Sequence, residues 1–223
     1  MNLYIAIEGG DGSGKTTQAK AIVEEINKSY PGMAAYLKFP NYSTTTGKAI
    51  TEMLSGKYGK DANKLNTYGI STMYSIDRFC SFNDEYKDIV KNHNVIVSDR
   101  STISNLIHQG SRFLGKPLNV LWNYADWLFD LEFSLMENPE PDIVIYLYVP
   151  AEKQIELLHK RDGDNQDINE QEEFLKRSTQ TALICADRYK WNLITCTDPF
   201  DPDEILSKEE ITKKIMGVIN HNI

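Results

Sequence analysis

The run Gly9-Gly10-Asp11-Gly12-Ser13-Gly14-Lys15-Thr16 fits the G-x-x-x-x-G-K-[ST] pattern. Small residues let successive backbone N–H groups face phosphate oxygens, a lysine reaches the β and γ positions, and the following hydroxyl can coordinate magnesium. The chemistry is therefore transfer or hydrolysis of the γ-phosphoryl group of ATP. Gly10, Gly12, Ser13, Gly14, Lys15, Thr16 and Thr17 are the candidate nucleotide-binding residues. A merely structural glycine turn has no need of Gly-Lys-Thr opening a helix. Asp99, after the apolar run Val95-Ile96-Val97, is the second candidate magnesium group beside Thr16, with a helix-capping aspartate as the alternative. Its neighbour Arg100 can grip a phosphate or form a surface ion pair. The loop sets the donor and leaves the acceptor open, because kinases, nucleotide switches and motors share it.

These groups need a strand and a helix on either side of the loop, and the flanks provide them. Leu3 to Ile7 reads as a buried strand, while Ala19, Ile22, Val23 and Ile26 recur at helical spacing before Tyr30-Pro31-Gly32. Ala34 to Phe39, Val95 to Val97, Ile143 to Val149 and Leu193 to Thr195 complete five strands. Helices are predicted over Thr44 to Tyr58, Leu65 to Val90 (one or two), Leu118 to Leu135, Ala151 to His159, Glu170 to Tyr189 and Glu204 to Ile219. Alternation of this kind predicts an α/β fold with a five-stranded parallel sheet covered by helices, in a single domain over 1–223. Asp99 and Arg100 then emerge at the carboxyl edge of the sheet, where open α/β sheets bind ligands. The charged run from Lys160 to Asn165 can close over a ligand, and residues 160–168 are the expected lid.

Bulk properties narrow the partners. The 223 residues carry 41% hydrophobic and 25% charged side chains, which suits a folded globular chain. A net charge of -8 offers no general attraction to a nucleic acid polymer. Three cysteines, Cys80, Cys185 and Cys196, show neither metal-ligand spacing nor a disulfide pattern, so a reducing, cytoplasmic setting is expected. Met1 to Gly10 lacks a basic leader, and no segment has membrane-spanning length.

The phosphate loop, Phe39-Pro40, Ser75-Ile76-Asp77-Arg78-Phe79, Asp99-Arg100-Ser101-Thr102-Ile103-Ser104-Asn105, Gln109-Gly110-Ser111-Arg112, Pro141-Asp142-Ile143 and Asp167-Ile168-Asn169-Glu170 together resemble the thymidylate kinase family. The resemblance runs over most of the chain and implies the P-loop nucleoside monophosphate kinase fold, a homodimer, and transfer from MgATP to dTMP to give dTDP. It implies that Asp11 lies near the acceptor's 3′-hydroxyl and phosphate, that Arg78 and Arg100 hold the acceptor phosphate, and that Tyr74 stacks on the base. Phe39 would border the base, Asn105 and Gln109 would contact base and sugar, and Asp167 and Glu170 would lie beyond the lid near the nucleotide. Each has a plainer reading: Tyr74 as a core aromatic, Phe39 as a hydrophobic plug, the amides as surface groups, and the Asp167–Glu170 pair as a helix cap.

Some positions depart from the family pattern. Ser101 stands where a tyrosine usually follows Asp-Arg, His108 where an aromatic packs near the deoxyribose, and Tyr148 where an aspartate is common. Gly12 occupies the place of an arginine that some members carry in the loop, so the catalytic cation is expected from the lid. Arg161 is preferred over Lys160 because a guanidinium bridges two phosphate oxygens, with a solvated helix-end charge as the alternative. The expected catalytic set is Asp11, Lys15, Arg100 and Arg161. The rival acceptor is another deoxynucleoside monophosphate such as dUMP, and the rival class is a nucleotide-dependent interaction module. The apolar helix around Trp122, Trp127 and Phe129 is a candidate subunit contact.

Overall fold

The computed structural model describes residues 3–59, 65–162 and 172–220, with 161 and 162 described in the backbone only. Five strands, β1 (Leu3–Gly9), β2 (Ala34–Lys38), β3 (Val95–Asp99), β4 (Ile143–Tyr148) and β5 (Asn192–Thr195), form one parallel sheet in the order β2-β3-β1-β4-β5. The sheet predicted from the five apolar runs is therefore present, with β1 at its centre. Its register sets Ile7 opposite Asp99 and Gly9 opposite Leu147.

Period-two alternation sends neighbouring strand residues to opposite faces, and each face has its own cover. Ile5, Ile7, Val95, Val97, Ile145 and Leu147 pack against α1 (Lys15–Ser29) and α9 (Lys208–Ile219), where Ile22, Ile26, Ile211 and Ile215 face inward. On the opposite face, Tyr4, Leu37 and Ile96 meet Phe82 of α3 (Thr67–Asn83) and Ile89 of α4 (Lys87–Asn92). Beside them, Tyr146 meets Ile103 and Ile107 of α5 (Thr102–Gly110) and Ala182 of α8 (Glu172–Tyr189).

Local chemistry accounts for the helix starts. Thr44, Asn66 and Ser101 accept hydrogen bonds from backbone N–H groups in the first turns of α2 (Thr45–Leu54), α3 and α5. Ser207 and Glu210 form a reciprocal capping box on α9, which moves its start from the expected Glu204 to Lys208. The Leu65 to Val90 stretch is two helices, and α7 (Ala151–Asp162) runs past the expected His159. The predicted Leu118 to Leu135 helix is α-helical only as α6 (Leu118–Phe129), after which Asp130–Leu135 forms a π-helical turn.

The aromatic face of α6 is partly covered by the chain itself. Trp122, Trp127 and Phe129 are half-buried against the chain's own Leu121, Tyr124, Leu128 and Tyr189, and Arg188 lies 4.3 Å from the Trp122 ring. On α3, the large apolar groups Tyr68, Ile76 and Phe79 are exposed, as is Leu118 at the start of α6.

Candidate active site

The phosphate loop leaves the central strand and enters α1 through Gly14, whose φ of 84° lies in the left-handed region that glycine adopts without strain. No side chain caps α1, so its first N–H groups remain directed at an incoming anion. Gly10 is required for a different reason. A Cβ there would lie 1.7 Å from Oε1 of Gln154, a fully buried residue of α7. Lys15 is also buried, donating to the Gly10 carbonyl at 2.7 Å and lying 3.5 Å from the Asp11 carboxylate. Burial, reinforced by nearby Arg100, pushes its ammonium pKa down to about 8.

Thr16 and Asp99, the expected magnesium pair, meet directly. The Thr16 hydroxyl donates to Asp99 Oδ2, and the Tyr36 hydroxyl lies 3.4 Å from that oxygen. No cluster of three or more His, Cys, Asp or Glu side chains exists among the described residues. Two oxygen ligands without a protein cage suit magnesium, which keeps its waters and completes its shell with substrate phosphates.

Arg100 links the second strand end to the loop. Its φ of 71° is positive, an uncommon state for a non-glycine residue, and its N–H is tied to the Ile7 carbonyl at 3.1 Å. The guanidinium donates to Asp11 through Nη2, and through Nη1 to Ser104 Oγ at 3.2 Å and His108 Nε2 at 2.9 Å. Burial alone would raise the Asp11 carboxyl, but Arg100 and Lys15 hold it well below the usual carboxylate range. Burial first, then Arg100, pushes His108 down to about 3, so its ring is neutral and Nε2 accepts from the guanidinium. Behind them lies Glu8, fully buried, accepting from Ser101 Oγ at 2.8 Å and Ser104 Oγ at 2.5 Å. Burial raises its pKa. Ser101, where a tyrosine is usual, thus serves as both helix cap and carboxylate partner.

A cavity of about 480 Å³ opens beside this cluster. Asp11, Phe39, Tyr74, Arg78, Arg100, Asn105, His108 and Gln109 all line it, together with Lys15, Thr16 and Asp99. The residues expected to bind the acceptor are therefore gathered next to those expected to bind the donor. Phe39 is also a core plug, 5.2 Å from the Phe82 ring, so its two readings are compatible. Asn105 donates through Nδ2 to the Ser71 carbonyl at 3.0 Å, which identifies its oxygen end; that Oδ1 is buried and without a hydrogen-bond partner. Gln109 Oε1 and His108 Nδ1 are likewise unpaired. Tyr148 packs in the core beside Ile103 and Ile107, away from the cavity.

Arg78 reaches the cavity in an unexpected condition. Its Nε and Nη2 are engaged by the carboxylate of Glu132, with Nε–oxygen distances of 3.1 and 3.0 Å, and Nη1 has no hydrogen-bond partner among the described residues. Glu132, Glu8 and Ser104 are the polar groups that motif reading passed over. The signal for Glu132 was its position four residues after Leu128, continuing the inward stripe Leu121, Tyr124, Leu128 with a charge. Arg161 falls in the last turn of α7 and its side chain lies outside the described residues, as do Asp167 and Glu170 and most of the expected lid. Lys160 is described, paired with Glu156 on the helix surface.

Comparison with known proteins agrees with this geometry. The family model described as thymidylate kinase matches residues 7–205. A Methanococcus vannielii protein named "Probable thymidylate kinase" is 30% identical over 183 residues, 81% of this chain and 76% of its own. The Mycobacterium tuberculosis thymidylate kinase is 29% identical over 154 residues, 67% of each chain. The solved structure of thymidylate kinase from Candida albicans superposes with a TM-score of 0.71 at 21% identity, covering 99% of this chain and 92% of that one. With the phosphate-loop motif, the Asp99–Arg100 strand end and the adjoining cavity in one arrangement, the chain belongs to the thymidylate kinase family of nucleoside monophosphate kinases.

Proposed function

We propose that this protein transfers the γ-phosphoryl group of ATP to dTMP, yielding ADP and dTDP. The observation that carries the reading is the set of groups that meet at the cavity. Asn105 offers an acceptor with a fixed oxygen end, Arg78 offers one amine, and the Tyr74 ring lines the same space. An oxygen acceptor beside an N–H donor complements the edge of a pyrimidine-2,4-dione, whose imide N–H is flanked by carbonyls. Cytosine lacks that N–H and presents an amino group where the carbonyl should be. Arg78, already neutralised by Glu132, suits such a carbonyl better than the dianionic phosphate expected from sequence.

In this reading the acceptor phosphate falls to Arg100, beside Asp11. An acceptor phosphate oxygen attacks the γ phosphorus, the bond to the β–γ bridging oxygen breaks, and ADP carries away the electron pair. Lys15 and the loop amides hold the donor phosphates, and Asp11 keeps Arg100 aimed between the two substrates. Thr16 and Asp99 would hold magnesium, which when bound neutralises phosphate oxygens. Alignment and charge neutralisation supply the catalysis, so no covalent enzyme intermediate is required. Arg161 would add a cation, and closure of 160–168, with Asp167 and Glu170 near the nucleotide, would exclude water. The exposed α3 residues Tyr68, Ile76 and Phe79 favour a homodimer, and the free cysteines a cytoplasmic setting.

The test is a coupled assay with ATP across dTMP, dUMP, dCMP, dGMP and AMP. Preference for dTMP is expected, with dUMP next because it shares the imide edge. Equal use of dCMP or a purine acceptor refutes the assignment. ATP turnover with no diphosphate product would favour the interaction module.

A further inference from the structure

Behind Arg78, which lines the cavity, lies a carboxylate to which the transfer step assigns no role. Glu132 is fully buried on the π-helical turn after α6, and every contact it makes is from a donor. Oε1 accepts from Ser75 Oγ at 2.8 Å and from Arg78; Oε2 accepts from Arg78 Nε at 3.0 Å and Asn138 Nδ2 at 2.9 Å. Ser75 lies on α3 one turn before Arg78, and Asn138 follows the π-helical turn, its N–H bonded to the Glu132 carbonyl at 2.8 Å. Helix α3, through Ser75 and Arg78, and the segment after the π-helical turn, through Asn138, thus hold one carboxylate in one orientation. So complete a set of partners exceeds what a solvent-exposed arginine would need, and a well-packed apolar pair would fill the same space at lower desolvation cost.

Two arginines line the cavity, and they are paired differently. Arg100 shares Asp11 with Lys15, at the open side, where Asp11 is 20% exposed. Arg78 has Glu132 to itself, with the two side chains 4% and 0% exposed. A one-to-one buried pair presents no net charge to a ligand. It does fix the plane of the guanidinium, leaving Nη1 as a single directed donor.

We propose that Glu132 is a positioning residue that determines base specificity: by neutralising Arg78 and locking its plane, it makes the inner end of the cavity select a carbonyl oxygen on the acceptor base over an amino group or a phosphate. The proposal rests on the dTMP reading above, because it assigns the base to this end and the phosphate to Arg100. Removing the Glu132 charge frees the guanidinium to rotate and restores its cationic character, so the penalty against an amino-bearing base shrinks.

The experiment measures kcat and KM for dTMP and dCMP, KM for ATP, and thermal midpoint in the wild type, E132Q and the double variant R78M/E132M. In E132Q, the dTMP KM is expected to rise about tenfold, the equivalent of one lost directed hydrogen bond. The dTMP-over-dCMP ratio of kcat/KM should fall by a similar factor, while the ATP KM stays within about twofold. A lowered thermal midpoint with an unchanged ratio would show a purely structural role and overturn the proposal. R78M/E132M replaces the pair by apolar groups of similar reach, so it answers the question should E132Q fail to fold. Loss of discrimination with ATP KM retained supports the proposal, and retained discrimination overturns it. A wild type that prefers dTMP while E132Q leaves the ratio unmoved sinks only the Glu132 role. A wild type without dTMP preference sinks the functional reading and this role together.

Discussion

Replacing Gly10 by alanine isolates the contact between the phosphate loop and α7. Gly10 does not have positive φ, so alanine meets no backbone penalty there, and the whole effect must come from its new methyl group. That methyl would sit 1.7 Å from Gln154 Oε1, and relief to an ordinary 3.4 Å contact requires a shift of roughly 1.7 Å. Gln154 cannot swing away freely, because Nε2 donates to the Val149 carbonyl at 2.6 Å and lies 3.2 Å from Thr179 Oγ1. Losing both hydrogen bonds costs about 1–3 kcal/mol, and overpacking adds a term of about the same size. G10A should therefore destabilise the protein by about 2–6 kcal/mol, a drop of roughly 4–24 °C in thermal midpoint for a chain of this length. The ATP KM should rise about tenfold or more as loop amides are displaced, with a smaller change for dTMP. Q154A alone loses the same hydrogen bonds but makes room, so G10A/Q154A should be no less stable than Q154A, leaving a coupling as large as the G10A effect itself, about 2–6 kcal/mol. Calorimetry and ATP-dependent initial rates on the three variants decide it. Strictly additive effects, or an unperturbed G10A, would refute the claim that α7 braces the loop.

Two further outcomes follow from the charges. Lys15 has a folded pKa of about 8 against 10.5 for an exposed lysine, so at neutral pH its buried charge destabilises the ligand-free protein. K15M should be inactive yet more stable at pH 7, by at most about 3 kcal/mol, and because the unfolded chain binds the extra proton between pH 8 and 10.5, that advantage should shrink across this window; urea melts at pH 7 and 10 check it. R100M should raise the dTMP KM by about 10- to 100-fold through loss of charge-assisted hydrogen bonds, with a smaller effect on ATP binding by calorimetry.

Legibility in the sequence followed distance along the chain. The phosphate loop is contiguous, its strand and helix adjoin it, and each of the five strands carries its own apolar signature, so donor site and sheet could both be read directly. Asp99 was legible because a polar residue ending an apolar strand has few places to go other than the sheet edge. Glu132 was hidden because its meaning depends on Arg78, 54 residues earlier, and on a change of helical hydrogen bonding that no local pattern announces. Glu8 was obscured likewise, since its serine partners arrive from α5 across the sheet. The α6 aromatics were legible only as an apolar face, because such a face looks the same whether it meets a second subunit or the chain's own α8.

The pairing of Ile7 with Asp99 acts as a ruler. Because adjacent strand positions point to opposite sides, deleting or inserting a single residue in β3 would turn the Asp99 carboxylate away from Thr16 and carry Arg100 out of the left-handed position from which it meets Asp11. An indel of that size in a surface connection is commonly tolerated. Here it would break both contacts while leaving the hydrophobic content of the chain almost unaltered, so spacing within this strand is held as tightly as the identity of the residues it presents.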